Sequence, residues 1–358
     1  MTFRYIGSKA RLAEQLRKHI GAWDRGVFVD AFCGTGAVAE IASSLGWPTR
    51  LNDNLLSSAT MAAARLISAR EAKFAALGGY ESAIAELNVT EPLEGFIWRE
   101  YSPASQKFCG IERRYFTEEN AGRIDGVRAK IAEWKSQGML TVNEERILIA
   151  DLLGAVNRCA NIAGTYGCFL SKWTAQSKTA FALQARKMKP STASVEVRVG
   201  DVSNIPVGED DVVYLDPPYT KRQYAAYYHL LETVAAGDEP IVEGVSGLRP
   251  WKDRASDFCY KVRALNALTT LIANLPARKV LLSYSNEGHI AIEDLEPALK
   301  AMGKVSVIAL QDIGRYRPNQ QASVAGSEVK EFLIVIEKST ARIAAKARKA
   351  NEKEEVFA

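Results

Sequence analysis

Two short stretches of the chain concentrate residue types that do chemistry. In Val212-Val213-Tyr214-Leu215-Asp216-Pro217-Pro218-Tyr219 an apolar run stops at an acid, two prolines and an aromatic ring. Prolines cannot donate to a β-ladder, so they end a strand abruptly, and their fixed φ holds the neighbouring backbone rigidly. A carboxylate, a proline carbonyl and a ring are then presented together at the carboxyl edge of a sheet, where open α/β folds bind ligands. The second stretch, Val29-Asp30-Ala31-Phe32-Cys33-Gly34-Thr35-Gly36-Ala37-Val38-Ala39, reads as a strand ending in an acid, a glycine turn and the start of a helix. Glycines let the chain turn sharply and approach a ligand closely. Asp53, nineteen positions beyond Gly34 at the end of the next strand, is placed to accept hydrogen bonds from ribose hydroxyls. Gly34-x-Gly36-x-x-Ala39 also satisfies the dinucleotide fingerprint, so these residues by themselves leave a nicotinamide-dependent oxidoreductase open.

Holding such residues in place takes a sheet with covered faces. Seven segments read as strands by their β-branched and apolar content: Val27–Phe32, Thr49–Asn52, Val195–Val199, Val212–Asp216, Lys279–Tyr284, Lys304–Leu310 and Glu331–Glu337. Near-continuous apolar runs such as Phe332-Leu333-Ile334-Val335-Ile336 fit strands buried on both faces. Helical spacing lies between them at Ala37–Leu45, Tyr227–Ala236, Ser256–Ala273 and Ile292–Met302, and the alternation predicts a parallel α/β sheet. Three βα units need roughly 30 residues each, yet Asp30 and Asp216 are separated by about 100 residues more than that. The surplus reads mainly as helix, at Ser57–Leu77, Asp125–Gln137 and Asn143–Val156. It predicts an inserted subdomain over 57–190, with the sheet built from 1–56 and 191–338 and a charged tail at 339–358.

Composition narrows the function classes. Hydrophobic residues make up 47% and charged residues 25%, as in a globular protein with a real core. No apolar run approaches the roughly 18 residues of a membrane span. The basic first twenty residues lack the apolar core of a secretory signal, which predicts a cytoplasmic protein. Five scattered cysteines without C-x-x-C, and three histidines far apart, predict neither a metal site nor a disulfide framework. The net charge of +4 is too small to implicate nucleic acid, but its distribution is uneven. From Leu152 to Val195 there is no acid, while Arg158, Lys172, Lys178, Arg186, Lys187 and Lys189 are interleaved with Tyr166, Phe169, Trp173 and Phe181. That pattern suits a polyanion with stacking bases, and equally a solvated basic loop over core aromatics.

The two motifs together resemble the signature pair of amino-group DNA methyltransferases. The longer run from Asp216 through Glu232 resembles the FokI-type branch of adenine methylases, and the order, with an insertion before Asp-Pro-Pro-Tyr, resembles the Dam-like alpha group. Arg4-Tyr5-Ile6-Gly7-Ser8-Lys9, Gly200-Asp201, Leu282–Gly288 and Arg315-Tyr316-Arg317 resemble further blocks of the same branch, and Asn157–Gly167 the stretch that closes the recognition domain. Thr220 departs from the more usual Asn or Ser, and Asp30 from the commoner Glu. The resemblance implies a Rossmann-like seven-stranded S-adenosylmethionine methyltransferase sheet with an inserted, mainly helical target-recognition subdomain. It implies methylation of adenine N6 in double-stranded DNA, with the base flipped out of the helix. Asp216, Pro217, Pro218 and Tyr219 would form the catalytic corner. Tyr5, Gly7, Lys9, Asp30, Phe32, Gly34, Gly36, Asp53 and Asp201 would bind the cofactor.

Readout of sequence is expected from the insertion. Arg158 and Asn161 are candidate base-edge readers, since Arg pairs with guanine and Asn with adenine. Lys172, Lys178 and Arg186 are candidate phosphate contacts, and Arg222 and Arg315 can also face DNA. A homodimer and a cognate restriction enzyme are both compatible with the sequence. RNA or a protein glutamine as acceptor, N4 of cytosine as target, and a non-enzymatic DNA-binding protein on the same fold are the competing readings.

Overall fold

The computed structural model describes residues 12–190, 192–310 and 330–338. Tyr5, Gly7, Lys9, Arg315 and the tail at 339–358 lie outside the described residues. Seven strands form one sheet: β1 Phe28–Asp30, β2 Thr49–Asp53, β3 Val195–Val199, β4 Val212–Leu215, β5 Lys279–Ser285, β6 Lys304–Ala309 and β7 Glu331–Glu337. Their order is β3-β2-β1-β4-β5-β7-β6, as expected for a Rossmann-like methyltransferase sheet. The sheet is mixed rather than wholly parallel. β7 runs antiparallel to both β5 and β6, with Lys279 facing Glu337 on one side and Lys304 facing the same residue on the other.

Alternation along the strands covers both faces, because successive side chains point to opposite sides. Phe28, Val212, Tyr214, Leu281, Leu333 and Val335 pack under α1 (Ala13–Ile20) and α2 (Ala37–Ser44). Val29, Val213, Leu215, Val280, Leu282, Ile334 and Ile336 pack against α11 (Lys261–Asn274) and α12 (Ile292–Lys300). Among the described residues no helix is long and apolar enough to cross a membrane.

The insertion carries α4 (Tyr80–Val89), α5 (Phe96–Tyr101), α6 (Ser105–Cys109), α7 (Glu118–Ser136) and α8 (Val142–Cys159). Thr141 opens α8 with a capping box closed by Glu144, which satisfies two otherwise orphaned backbone donors. Apart from α6, these helices share one continuous core with α3 (Leu56–Leu66), α9 (Tyr224–Tyr227) and α10 (His229–Ala236). The expected boundary at residue 57 falls inside α3, which lies on the sheet while its other side meets α8 and α10. The helix expected over Ser57–Leu77 stops at Leu66. Ser68 turns the chain there by donating from both N and Oγ to Glu71. Phe74 is then held with φ of 51°, its N–H donating to the buried Glu144 carboxylate.

Helix α3 is also what fixes the glycine turn. Gly36 has a φ of 76°, and a Cβ there would lie 2.7 Å from Ala62 Cα in α3. Gly36→Ala should therefore cost about 2–4 kcal/mol through left-handed strain and overpacking together. Urea denaturation measures it; a change below about 1 kcal/mol would show that α2 and α3 can move apart freely.

Candidate active site

The parallel strands end at one edge, and a single buried asparagine stitches three of them. Asn52 Nδ2 donates to Ala31 O beyond β1 and to Gly200 O beyond β3, each at 3.2 Å. Around this edge lies a cavity of about 760 Å³, within the range of small-molecule sites. Asp30, Phe32, Gly34, Asp53, Asp201, Asp216, Pro217, Pro218 and Tyr219 all line it. Gly36 does not line it; its part is the left-handed turn and the contact with α3.

The acids differ in setting. Asp30 is buried; Oδ2 accepts from Ala39 N at 3.2 Å in the first turn of α2, while Oδ1 has no hydrogen-bond partner among the described residues. Burial, and then the charges of Asp216 and Asp53, push its carboxyl up to about 8. Asp53 accepts from Gly34 N and Leu55 N, both at 3.0 Å. Burial still lifts it to about 6 against those two donors. Each of its oxygens keeps a second lone pair, so ribose hydroxyls can still be bound there. Asp201 is exposed and accepts from Ser203 N and Oγ at 2.8 and 2.5 Å, starting a short turn over Val202–Asn204. Phe32 meets the Phe258 ring edge-on at 5.5 Å.

The acceptor corner follows β4. Asp216 and Tyr219 are half-buried and Pro217 is buried between them. Tyr219 is fixed at both ends: its carbonyl accepts from His289 N at 2.8 Å, and its hydroxyl reaches Glu331 at 3.4 Å. Its ring lies 5.6 Å from that of Tyr284. A carboxylate and a rigid carbonyl beside an aromatic face can accept hydrogen bonds from an amino group on a flat, stacked ring.

The candidate DNA contacts divide. Lys172, Lys178 and Arg222 are exposed. Arg158 is half-buried, with Nη2 donating to Ala182 O at 2.8 Å. Two more are engaged within the fold. Asn161 is buried, its amide donating to Arg114 O and Leu170 O and accepting from Thr174 N, so it pins a loop. Arg186, half-buried, makes a two-pronged pair with the buried Asp151, at 2.8 and 2.6 Å. Sequence reasoning missed Asn52, Asn54, Arg254 and Phe258 altogether. Gln223 and Glu232 lay inside the Asp216–Glu232 run, which was the one signal available for them. Among the described residues no group of three or more His, Cys, Asp or Glu is placed to hold a metal.

Residues 5–296 match the family of D12 class N6 adenine-specific DNA methyltransferases. The chain is 32% identical over 378 residues to the type II methyltransferase M.FokI of Planomicrobium okeanokoites, covering 99% of this chain and 55% of that protein. It is 32% identical over 345 residues to the modification methylase StsI of Streptococcus sanguinis, covering 94% and 52%. Against the type II methyltransferase M.NlaIII of Neisseria lactamica the identity is 28% over 353 residues, covering 94% and 99%. The chain thus spans about half the length of the first two relatives and nearly all of the third. The nicotinamide reading of the glycine turn, which left Asp-Pro-Pro-Tyr unexplained, falls away.

The raised Asp30 carboxyl has a measurable sign. Its folded value near 8 lies above the ordinary 3.8, so the unfolded chain releases this proton first. Stability contributed by the group is therefore present at low pH and is lost as pH climbs from about 4 to about 8. Asp30→Asn should flatten the fall of Tm between pH 5 and 8; parallel Tm–pH curves for the two proteins would contradict the assignment.

Proposed function

The chain belongs to the D12 class N6 adenine-specific DNA methyltransferases, and from that premise we propose that it methylates N6 of adenine in duplex DNA, using S-adenosylmethionine. The observation that carries this is the shared cavity: Asp216-Pro217-Pro218-Tyr219 leaves β4 into the same space as the glycine turn and Asp53. The cofactor fits the residues present, since five acidic side chains (Asp30, Asp53, Asp201, Asp216 and Asp257) outnumber Arg254 and Arg263 in the lining, and Asp30 keeps an unpartnered buried oxygen, a site that favours a cation bearing hydroxyls. Asp53 and the Gly34 turn would hold the ribose, Phe32 and Asp201 the purine end, and Asp30 the cationic end, with Tyr5, Gly7 and Lys9 proposed for the methionyl group. Bound there, S-adenosylmethionine supplies an electrophilic methyl on sulfur.

The chain's own residues supply the rest. The N6 lone pair is delocalised into the purine ring, so the amine is a poor nucleophile. Asp216 and the Pro217 carbonyl accept hydrogen bonds from its two N–H groups, draw electron density back onto nitrogen, and stabilise the positive charge that develops as the nitrogen is alkylated, the surplus N6 proton then leaving to solvent. Tyr219 stacks on the extrahelical base, worth roughly 1–3 kcal/mol, which offsets part of the few kcal/mol that flipping costs. Placement of the amine accounts for much of the acceleration.

The 57–190 insertion ahead of Asp216 is the basis for proposing the alpha-group arrangement, with target recognition in that insertion. Exposed Lys172, Lys178 and Arg222 are proposed as phosphate contacts, together with Arg315, and Arg158 keeps a proposed role at base edges. Because M.FokI and M.NlaIII are named type II methyltransferases, the biological role is proposed as the modification half of a restriction–modification pair.

Two experiments bear on this. With Asp216→Ala, transfer of labelled methyl to duplex DNA should fall at least about 100-fold, while S-adenosylmethionine binding by calorimetry stays close to wild type. An active variant would remove Asp216 from the chemistry. Replacing Lys172 and Lys178 by alanine should each lower the slope of log affinity against log salt by about 0.9; unchanged slopes would place the DNA elsewhere.

A further inference from the structure

The donor and acceptor halves of the cavity stand on different loops, the first on the turns after β1 and β2 and the second after β4, and a further segment joins them. Residues 254–259 run along the cavity wall ahead of α11, and Arg254, Ser256 and Phe258 line it. At the donor end the segment is clasped reciprocally to the residue beside Asp53. Asn54 Nδ2 donates to Arg254 O at 3.1 Å, and Arg254 Nη1 donates to Asn54 O at 3.4 Å. At the acceptor end a second reciprocal clasp forms four residues beyond Tyr219. Ser256 N donates to Gln223 Oε1 at 2.9 Å, and Gln223 Nε2 donates to Ser256 O at 3.3 Å. His289 adds a third tie: its N–H donates to Tyr219 O, and its Nε2 meets Cys259 O at 3.1 Å. Arg254 is further anchored at 2.6 Å to buried Glu232, whose carboxylate also accepts from Leu56 N and Ser57 N at the start of α3.

These ties explain why the helix expected from Ser256 begins only at Lys261: the backbone groups of Ser256 and Cys259 are engaged outside any α-helix. Paired hydrogen bonds fix both distance and orientation, and each clasp lies next to a group that the chemistry uses. In-line transfer needs reacting atoms about 3–3.5 Å apart, and a displacement of about 1 Å can cost 100-fold. A loop-borne donor site and a loop-borne acceptor site need a strut to hold that tolerance.

We propose that residues 254–259 are a brace that sets the spacing between the methyl-donor pocket and the acceptor corner, with Asn54, Gln223 and His289 as its positioning residues. This rests on the methyltransferase reading and deepens it. Gln223→Met keeps the side-chain length and deletes both hydrogen bonds; Asn54→Ala loosens the other end by deleting the Nδ2 bond to Arg254 O. Each should slow single-turnover methylation at saturating S-adenosylmethionine by about 10–100-fold, with Tm little changed and, for Gln223→Met, cofactor Kd within about threefold. The double variant should be only as slow as the slower single one, because both free the same strut. Amide exchange over 254–259 should quicken in all three. Rate losses that multiply, or a wild-type rate in Gln223→Met, overturn the brace. The wild-type control separates the two ideas: if it binds the donor but never methylates adenine, the functional reading fails. Unchanged exchange over 254–259 in both single variants would sink the brace whatever the acceptor.

Discussion

Four parallel strands reach one edge of the sheet and each is followed there by an acid: Asp30 on β1, Asp53 on β2, Asp201 past β3 and Asp216 past β4. This crowding is the constraint that the remaining architecture serves. Buried carboxyls lose hydration and repel neighbouring acids: burial and then Asp216 and Asp53 hold Asp30 high, and burial and then Glu232 raise Asp53. The edge tolerates them because backbone donors reach two of them: Ala39 N for Asp30, and Gly34 N and Leu55 N for Asp53. A cationic ligand would offset the excess of acids at this edge.

The helical insertion is joined to this edge through its core. α8 lies on α3, α3 lies on β2 and β3, and α10 closes the same cluster from the far side of Asp-Pro-Pro-Tyr. Buried polar ties add direction to that packing. Glu232 in α10 satisfies the first donors of α3, and Asp125 in α7 does the same for α5 through Ile97 N and Trp98 N. Acids at helix starts also meet the positive end of the helix dipole. A surface built on these helices therefore keeps its orientation to the cavity without a hinge between them.

The strands, the glycine turn and the acid–proline corner were legible in the sequence because each is local. Apolar runs and abrupt stops identify β1, β2 and β4 without knowledge of what they pack against. Partners across the fold were not legible. The acid-free stretch that begins at Leu152 looked like uncompensated positive charge, yet Arg186 is neutralised by Asp151, one position before that stretch opens. A window in sequence is not a window in space. The antiparallel course of β7 was equally hidden, since strand direction depends on connections and not on composition.

Asn161 shows how one side-chain chemistry can serve two directions. An amide presents paired donors and an acceptor, which suits an adenine edge, and it suits backbone groups just as well. In this fold the amide turns inward, holding Leu170 O and Arg114 O with Nδ2 and Thr174 N with Oδ1. The loop it closes runs beside α9, where Tyr166 N donates to Tyr227 O, close in sequence to the acceptor corner. Ordering that loop before any ligand arrives reduces the entropy lost on association. Any base discrimination by it then falls to side chains that point outward from a fixed backbone, and the amide's contribution is to make their positions definite.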